Sequence, residues 1–233
     1  MRKRSEDPAT MDTIEVSVQG QHLVLHAGRV LFWIEHRALI LSDLHLGKAQ
    51  HFRRHGIPVP ANILEGELHR LGRYVDHFAP DHVWILGDLS HSVYNRSWEE
   101  AIRFFGKYPE GFWRLVPGNH DMMEQEHYQR AGISIASRET EVGPFLLTHQ
   151  YLQDPPSGTY QLTGHIHPGV RLHGKGAQAL TLPCFCFGGS AGILPAFGRF
   201  TGLGRIALRP HDRVFAIADD RIFELNGQSV SLR

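Results

Sequence analysis

"RALILSDLH", residues 37–45, decides the fold. Its centre, Leu39 to Leu41, is continuously apolar where a half-exposed strand would alternate, as expected of a strand buried on both faces. The apolar run then stops at Asp43-Leu44-His45. The same design recurs along the chain, in "HVWILGD" (82–88), "FWRLVPGNHD" (112–121), "PFLLTH" (144–149) and "YQLTGHIH" (160–167). Each is a short apolar strand whose end emits Asp, Asn or His. In open α/β sheets, ligands bind beyond the carboxyl ends of the strands. Five such ends side by side would gather Asp43, Asp88, Asn119 and several histidines in one crevice.

Working outward, "TIEVSV", "HLVLH" and "RVLFWIE" precede this stretch and read as strands joined by tight turns. Residues 61–79 read as a helix, because Leu64, Leu68, Leu71, Val75 and Phe78 form one apolar stripe. Glu65, Glu67, Arg70 and Arg73 fall off that stripe, and Pro80 ends it. Ser97 and Glu100 form a capping box for a second helix over "WEEAIRFFGKY". The last third, "ALTLPCFCF", "GRIALR", "DRVFAIAD" and "RIFEL", is again strand with Gly-rich breaks. Helices between strands in the first half and strands at both ends imply an α/β fold, with two mixed β-sheets packed face to face and helices outside. No linker or 20-to-50-residue repeat interrupts it. Residues 1–12 read as a disordered tail, Met11 as an alternative start, and 13–233 as one domain.

Composition narrows the function. The chain of 233 residues carries 24 Lys+Arg against 24 Asp+Glu, so no global field favours polyanions, and a nucleic-acid partner must be held by a local patch. Two cysteines are too few for a disulfide scaffold. Their alternation in "LPCFCF" places Cys184 and Cys186 on one strand face, as core. The basic N-terminus has no apolar segment behind it, which argues against a signal peptide, and no run reaches the ~18 to 20 apolar residues of a membrane span. The seventeen histidines stand out, since His is the commonest metal ligand and a frequent acid–base group.

In Asp43-x-His45 and His165-x-His167, residues i and i+2 point the same way if the backbone is extended, so each pair can aim at one locus. The glycines before Asp88, Asn119 and His165 permit sharp turns or close backbone approach. A mixed oxygen and nitrogen donor set without thiolate suits Mn²⁺, Fe or Zn²⁺. The donors are too many for one ion. Two ions sharing Asp88 would use them economically, and such a pair stabilises both attacking and leaving oxygens of an in-line displacement.

The ordered series D-x-H, G-D, G-N-H-D, H, G-H-x-H over residues 43–167 resembles the calcineurin-like metallophosphoesterase superfamily. The resemblance implies the αββα sandwich of that superfamily. It also implies that Asp43, His45 and His167 hold a first metal, that Asp88 bridges, and that Asn119, His149 and His165 complete the second. His120 then assists the leaving oxygen, Asp121 orients that imidazole, and a hydroxide bridging the metals is the nucleophile. The stretches "LSDLHLGKAQHFRRHGIPVP" and "GILPAFGRFTG" are similar to the bacterial ligase-associated DNA damage response endonucleases of the PdeM type. That likeness implies a manganese-dependent endonuclease acting in the cytoplasm on single-stranded or hairpin DNA, in company with an ATP-dependent DNA ligase, a helicase and an exonuclease. Many superfamily members carry another acid after G-D, where this chain has Ser90 and His91.

Lys48, Arg53 and Arg54 follow the first ligands directly and are candidates for contacts to phosphates flanking the scissile bond. His91 is a further candidate substrate contact. Phe52 could stack a base but reads better as core. Rival readings of the same motifs are a hydrolase of nucleotides, pyrophosphates or phosphomonoesters, a non-catalytic scaffold for protein contacts, and a recruitment partner for the ligase machinery.

Overall fold

The computed structural model describes residues 7–48, 63–90, 96–174, 178–206 and 208–225, apart from the side chains of Arg96, Ser97 and His173. Seven strands form a first sheet in sequence order: β1 (Thr13–Val18), β2 (Gln21–His26), β3 (Val30–Trp33), β4 (Ala38–Leu41), β5 (His82–Leu86), β6 (Trp113–Val116) and β7 (Ile133–Ile135). The pairings are antiparallel from β1 to β4 and parallel from β4 to β7. Parallel neighbours require crossovers, and three helices supply them: α1 (Ile63–Phe78), α2 (Arg96–Phe105) and α3 (Gln125–Arg130).

The second sheet has nine strands. Its path begins at β8 (Glu139–Val142), β9 (Phe145–Thr148) and β10 (Tyr160–Thr163), then passes to β13 (Ala191–Ile193), β12 (Ala179–Phe187), β11 (Pro168–His173) and β14 (Gly204–Arg205). Strands β15 (Arg213–Ala218) and β16 (Arg221–Leu225) add to β12. β9, β10 and β13 run parallel to one another. The two mixed sheets thus form the expected layered α/β sandwich.

Burial follows the patterning. In β4 and β5, Ala38, Ile40, Trp84 and Leu86 face the second sheet, where they meet Phe145, Leu147, Leu162, Phe185 and Phe215. Leu39, Leu41, Val83 and Ile85 face the helices. A strand clothed on both faces needs an unbroken apolar run, which is what "ALIL" and "VWIL" supply. In α1 the stripe residues Leu68, Leu71 and Val75 are buried, with Leu64 and Phe78 packed beside them. The helix ends through Ala79 in the left-handed region (φ +43°), whose carbonyl accepts the Arg37 guanidinium, and Pro80 blocks continuation. Cys184 and Cys186 are buried and free, with Phe185 and Phe187 on the opposite strand face.

Three expectations are corrected. Helix α2 starts at Arg96, so Ser97 lies inside it and is not its N-cap. Arg70, placed off the apolar stripe, is only 3% exposed. Within the expected tail, Pro8–Thr10 form a 3-10 helix, and the buried His26 ring meets the Pro8 carbonyl at 3.1 Å. Met11 packs against the inter-sheet core.

Candidate metal centre

All five strand ends singled out in the sequence open on one edge of the sandwich. Sheet one contributes Asp43 and His45 after β4, Asp88 after β5, and Asn119 and His120 after β6. Sheet two contributes His149 after β9, and His165 and His167 after β10. The two sets meet across the seam, where the His165 backbone N–H donates to Asp43 Oδ2 (3.0 Å).

The local backbone is not extended. Asp43 (φ +55°), His45 (+49°), Asp88 (+49°), His165 (+65°) and His167 (+50°) all occupy the left-handed region. That conformation is uncommon for residues other than glycine, although Asp and His tolerate it better than most. Convergence therefore comes from tight left-handed turns, not from a continued strand that projects i and i+2 to one side. Strain of this kind persists where the surroundings over-determine it, typically at functional sites. Here the brace is the neighbouring loop backbone, with Asp43 N–H donating to Gly87 O (3.1 Å) and His45 N–H to Asp88 O (2.8 Å).

The glycines act by absence of a side chain. A Cβ at Gly118 would lie 2.3 Å from Asp88 Oδ1, and one at Gly164 2.6 Å from Asp43 Oδ2. A Cβ at Gly87 would lie 2.2 Å from His149 Nδ1. Each lets a ligand-bearing loop close onto its neighbour.

Two groups of ligating atoms result. Asp43, His45 and His167 form one, and Asp88, His149 and His165 the other, with the ligating atoms of each within 4.8 Å of one another. In the first, His167 Nδ1 faces the Gly202 carbonyl at 3.1 Å and must carry the hydrogen, which leaves Nε2 as a lone pair. That Nε2 lies 3.2 Å from Asp43 Oδ1, and neither atom has a hydrogen-bond partner. In the second, His149 Nδ1 faces the Leu86 carbonyl at 3.0 Å, and its Nε2 meets Asn119 Oδ1 (3.1 Å), His165 Nδ1 (3.1 Å) and Asp88 Oδ1 (3.4 Å). At Asp43 Oδ1 and His167 Nε2, buried acceptors pressed together without a donor are costly, and a cation removes the conflict. Imidazoles fixed through their outer nitrogen by a carbonyl are the usual supporting arrangement of metal-binding histidines. The residues present therefore fit divalent metal ions. Asp88 turns one oxygen to each group, with Oδ2 lying 3.8 Å from His45 Nε2.

Protonation of His45 and Asp88 agrees with ligand duty, whereas His149 holds a proton more readily than a free imidazole. Burial, aided by the Lys48 charge, lowers His45 to about 3, so its imidazole is neutral. Burial pushes Asp88 upward, but the His149 hydrogen bond and the His120 amide hold it down at about 2. Burial pushes His149 down, but the Asp88 hydrogen bond with the Asp43 and Asp88 charges reverses this, leaving it above its ordinary value.

Asp121 is held by the backbone of two loops. Its Oδ1 accepts Ser90 N–H (3.0 Å) and Oδ2 accepts Gly118 N–H (2.9 Å), with the Ser90 and Tyr128 hydroxyls at 3.4 and 3.5 Å. The carboxylate ties the β5 and β6 loops together. His120 gives its backbone N–H to Asp88 Oδ1 (2.9 Å), and its half-buried ring stands 5.5 Å from that of His45, centroid to centroid. Lys48 lines a pocket that includes His45, Arg199 and Phe200. Arg53, Arg54, His91 and Phe52 lie outside the described residues.

Sequence reasoning assigned no role to the loop after β13, although it quoted "GILPAFGRFTG". This loop meets the site directly, with Gly198 N–H donating to Asp43 O (3.0 Å) and Gly202 O fixing His167.

Fold and donor set together define a metal-dependent phosphoesterase. The chain belongs to the calcineurin-like phosphoesterase family, whose model matches residues 36–176. Among solved structures it is similar to the nuclease MPE of Pseudomonas putida, at 27% identity and a TM-score of 0.75, over 92% of this chain and 100% of that one. It also matches YfcE, a phosphoesterase from E. coli, at 13% identity and a TM-score of 0.42, over 83% of this chain and 99% of that one. No curated protein matches the sequence. Among the described residues no helix is long and apolar enough to cross a membrane.

Proposed function

We propose that this protein is a two-metal phosphodiesterase that cleaves single-stranded or structured DNA in repair. The observation that carries the reading is the Asp88 carboxylate, with one oxygen 3.4 Å from His149 Nε2 and the other 3.8 Å from His45 Nε2. Asp43, His45 and His167 would hold one ion, Asn119, His149 and His165 the other, and Asp88 would bridge. Mn²⁺ is the first choice, with Fe and Zn²⁺ as alternatives that suit the same nitrogen and oxygen donors. A bound pair supplies Lewis acidity that lowers the pKa of water and offsets charge on the phosphoryl oxygens.

The chain's own groups do the rest. Asp43 and Asp88 are deeply buried and set the negative charge that retains the cations. His120, half-buried at the cleft beside His45, donates a proton to the departing oxygen. Lys48 contributes positive charge on the side of the first ligand loop. The likeness to a nuclease over nearly the full length of both chains supports nucleic acid as substrate. Cytoplasmic action beside an ATP-dependent ligase, a helicase and an exonuclease follows from the sequence resemblance, and pull-down from a native extract tests it.

A substrate panel with Mn²⁺ tests the chemistry, using single-stranded and hairpin DNA, small diesters and monoesters, with Asp88→Ala as the blank. The expected result is DNA cleavage far above monoester turnover. Preference for monoesters would establish a small-molecule phosphoesterase instead. His120→Ala should lower turnover by about 10²- to 10⁴-fold with metal content intact. Parallel loss of metal would contradict its assignment as the acid.

A further inference from the structure

Arg70 is a buried cation paired with the largely buried Glu67, and among the described residues no hydrogen bond or ion pair joins it to a candidate metal ligand. It lies in α1. Its Nη2 donates to Phe197 O (2.5 Å) and to Glu67 Oε2 (2.6 Å), and its Nη1 to Gly28 O (3.3 Å). The guanidinium carbon sits 3.7 Å from the centroid of the Phe197 ring. Arg29 adds a bond from Nη1 to Ala196 O (3.3 Å).

The gripped segment, Pro195–Gly198, lies on the first ligand loop. Phe197 N–H donates to Ser42 O (2.8 Å), Gly198 N–H to Asp43 O (3.0 Å), and Ser42 Oγ to Pro195 O (3.4 Å). Ser42 and Ala196 form an isolated parallel bridge. The approach is so close that a Cβ on Gly198 would meet Leu44 O at 2.7 Å. The loop therefore covers the turn in which Asp43 and His45 hold left-handed conformations. A turn held away from its preferred backbone geometry needs an external brace, and a buried charge is kept at a cost that a purely apolar contact would avoid.

We propose that Arg70 is a positioning residue for the metal centre. Through Phe197 and Gly198 it holds the Asp43–His45 turn in its ligating form. Only a planar fork can lie over the Phe197 ring while donating to three separate oxygens, so lysine cannot substitute. The inference rests on the metal-binding reading above.

The test compares wild type, Arg70→Lys, Arg70→Met and Leu71→Ala, the last a core-destabilised control on the same helix. Mn²⁺ affinity is read by isothermal titration calorimetry and metal-free stability by thermal melting. Both Arg70 variants should bind Mn²⁺ at least ten-fold more weakly than wild type, and saturating Mn²⁺ should restore most turnover. Leu71→Ala should melt early yet keep its affinity within about two-fold. Wild-type affinity in Arg70→Lys, or a loss no larger than that of an equally destabilised Leu71→Ala, overturns the proposal. Wild type that takes up no divalent ion would instead overturn the metal reading, and this inference with it.

Discussion

Asp88 and Gly118 show how finely the centre is set at the level of single residues. A methyl group at Gly118 would lie 2.3 Å from Asp88 Oδ1 and 2.5 Å from its backbone nitrogen, with no flexible tip to yield. Gly118→Ala should cut metal affinity at least ten-fold while secondary structure by circular dichroism stays unchanged. Normal metal content in that variant would show that the loops can separate freely. Histidine 26 sets a second prediction. Burial lowers it to about 4 from the ordinary 6.5, against the raising effect of its bond to Pro8 O and with a further push from His77. Its Nδ1 accepts Gly28 N–H (2.8 Å), so the native ring is neutral. The unfolded chain takes up the proton first. Stability is complete above pH 6.5 and falls as pH drops toward 4, by about 3 kcal/mol in all. Denaturant titrations across this range should show that slope, and His26→Gln should flatten it. The candidate ligands stood out in the sequence because Asp, Asn and His interrupted apolar runs. The left-handed backbone of Asp43, His45, Asp88, His165 and His167 was not legible, since a periodicity argument presupposes the extended geometry they abandon. The bracing by Asp121 was not legible, because its partners Ser90 and Gly118 come from two different loops.

At the scale of elements, α1 was readable almost to its ends because its stripe faces one sheet. Leu71, fully buried on that stripe, should cost about 2–5 kcal/mol on replacement by alanine, measured by urea denaturation. A change below 1 kcal/mol would mean that the helix packs loosely. The elements that escaped the sequence reading are short or polar. β7 and β13 have three residues each, α3 has six, and β8, "ETEV", is mostly exposed. They exist because neighbours pair with them, a tertiary effect that local propensity cannot report. Arg70 is the counterpart on a well-read helix, since position relative to the stripe said surface and the loop folded over it made it core.

At the scale of the molecule, ligands from both sheets meet at one seam. Divalent ions bound there favour the folded state by mass action, about 2.7 kcal/mol when the free ion exceeds its dissociation constant a hundred-fold. Mn²⁺ should therefore raise the melting temperature, and a chelator should reverse the gain. Because His149 lies above its ordinary pKa, a proton competes for its lone pair as pH falls. Metal affinity should weaken progressively on acidification through that range, read by competition with a chelating dye. An affinity independent of pH would remove His149 from the donor set.

The single hydrogen bond from the His165 amide to the Asp43 carboxylate, a stitch between layers, has a practical corollary. Without bound metal the halves would be joined there by packing, by this stitch and by the loop hydrogen bonds beside it, such as Gly198 N–H to Asp43 O and His149 to Leu86 O. Such molecules would expose the seam to proteases more often, and the protein's lifetime would then track the metal supply.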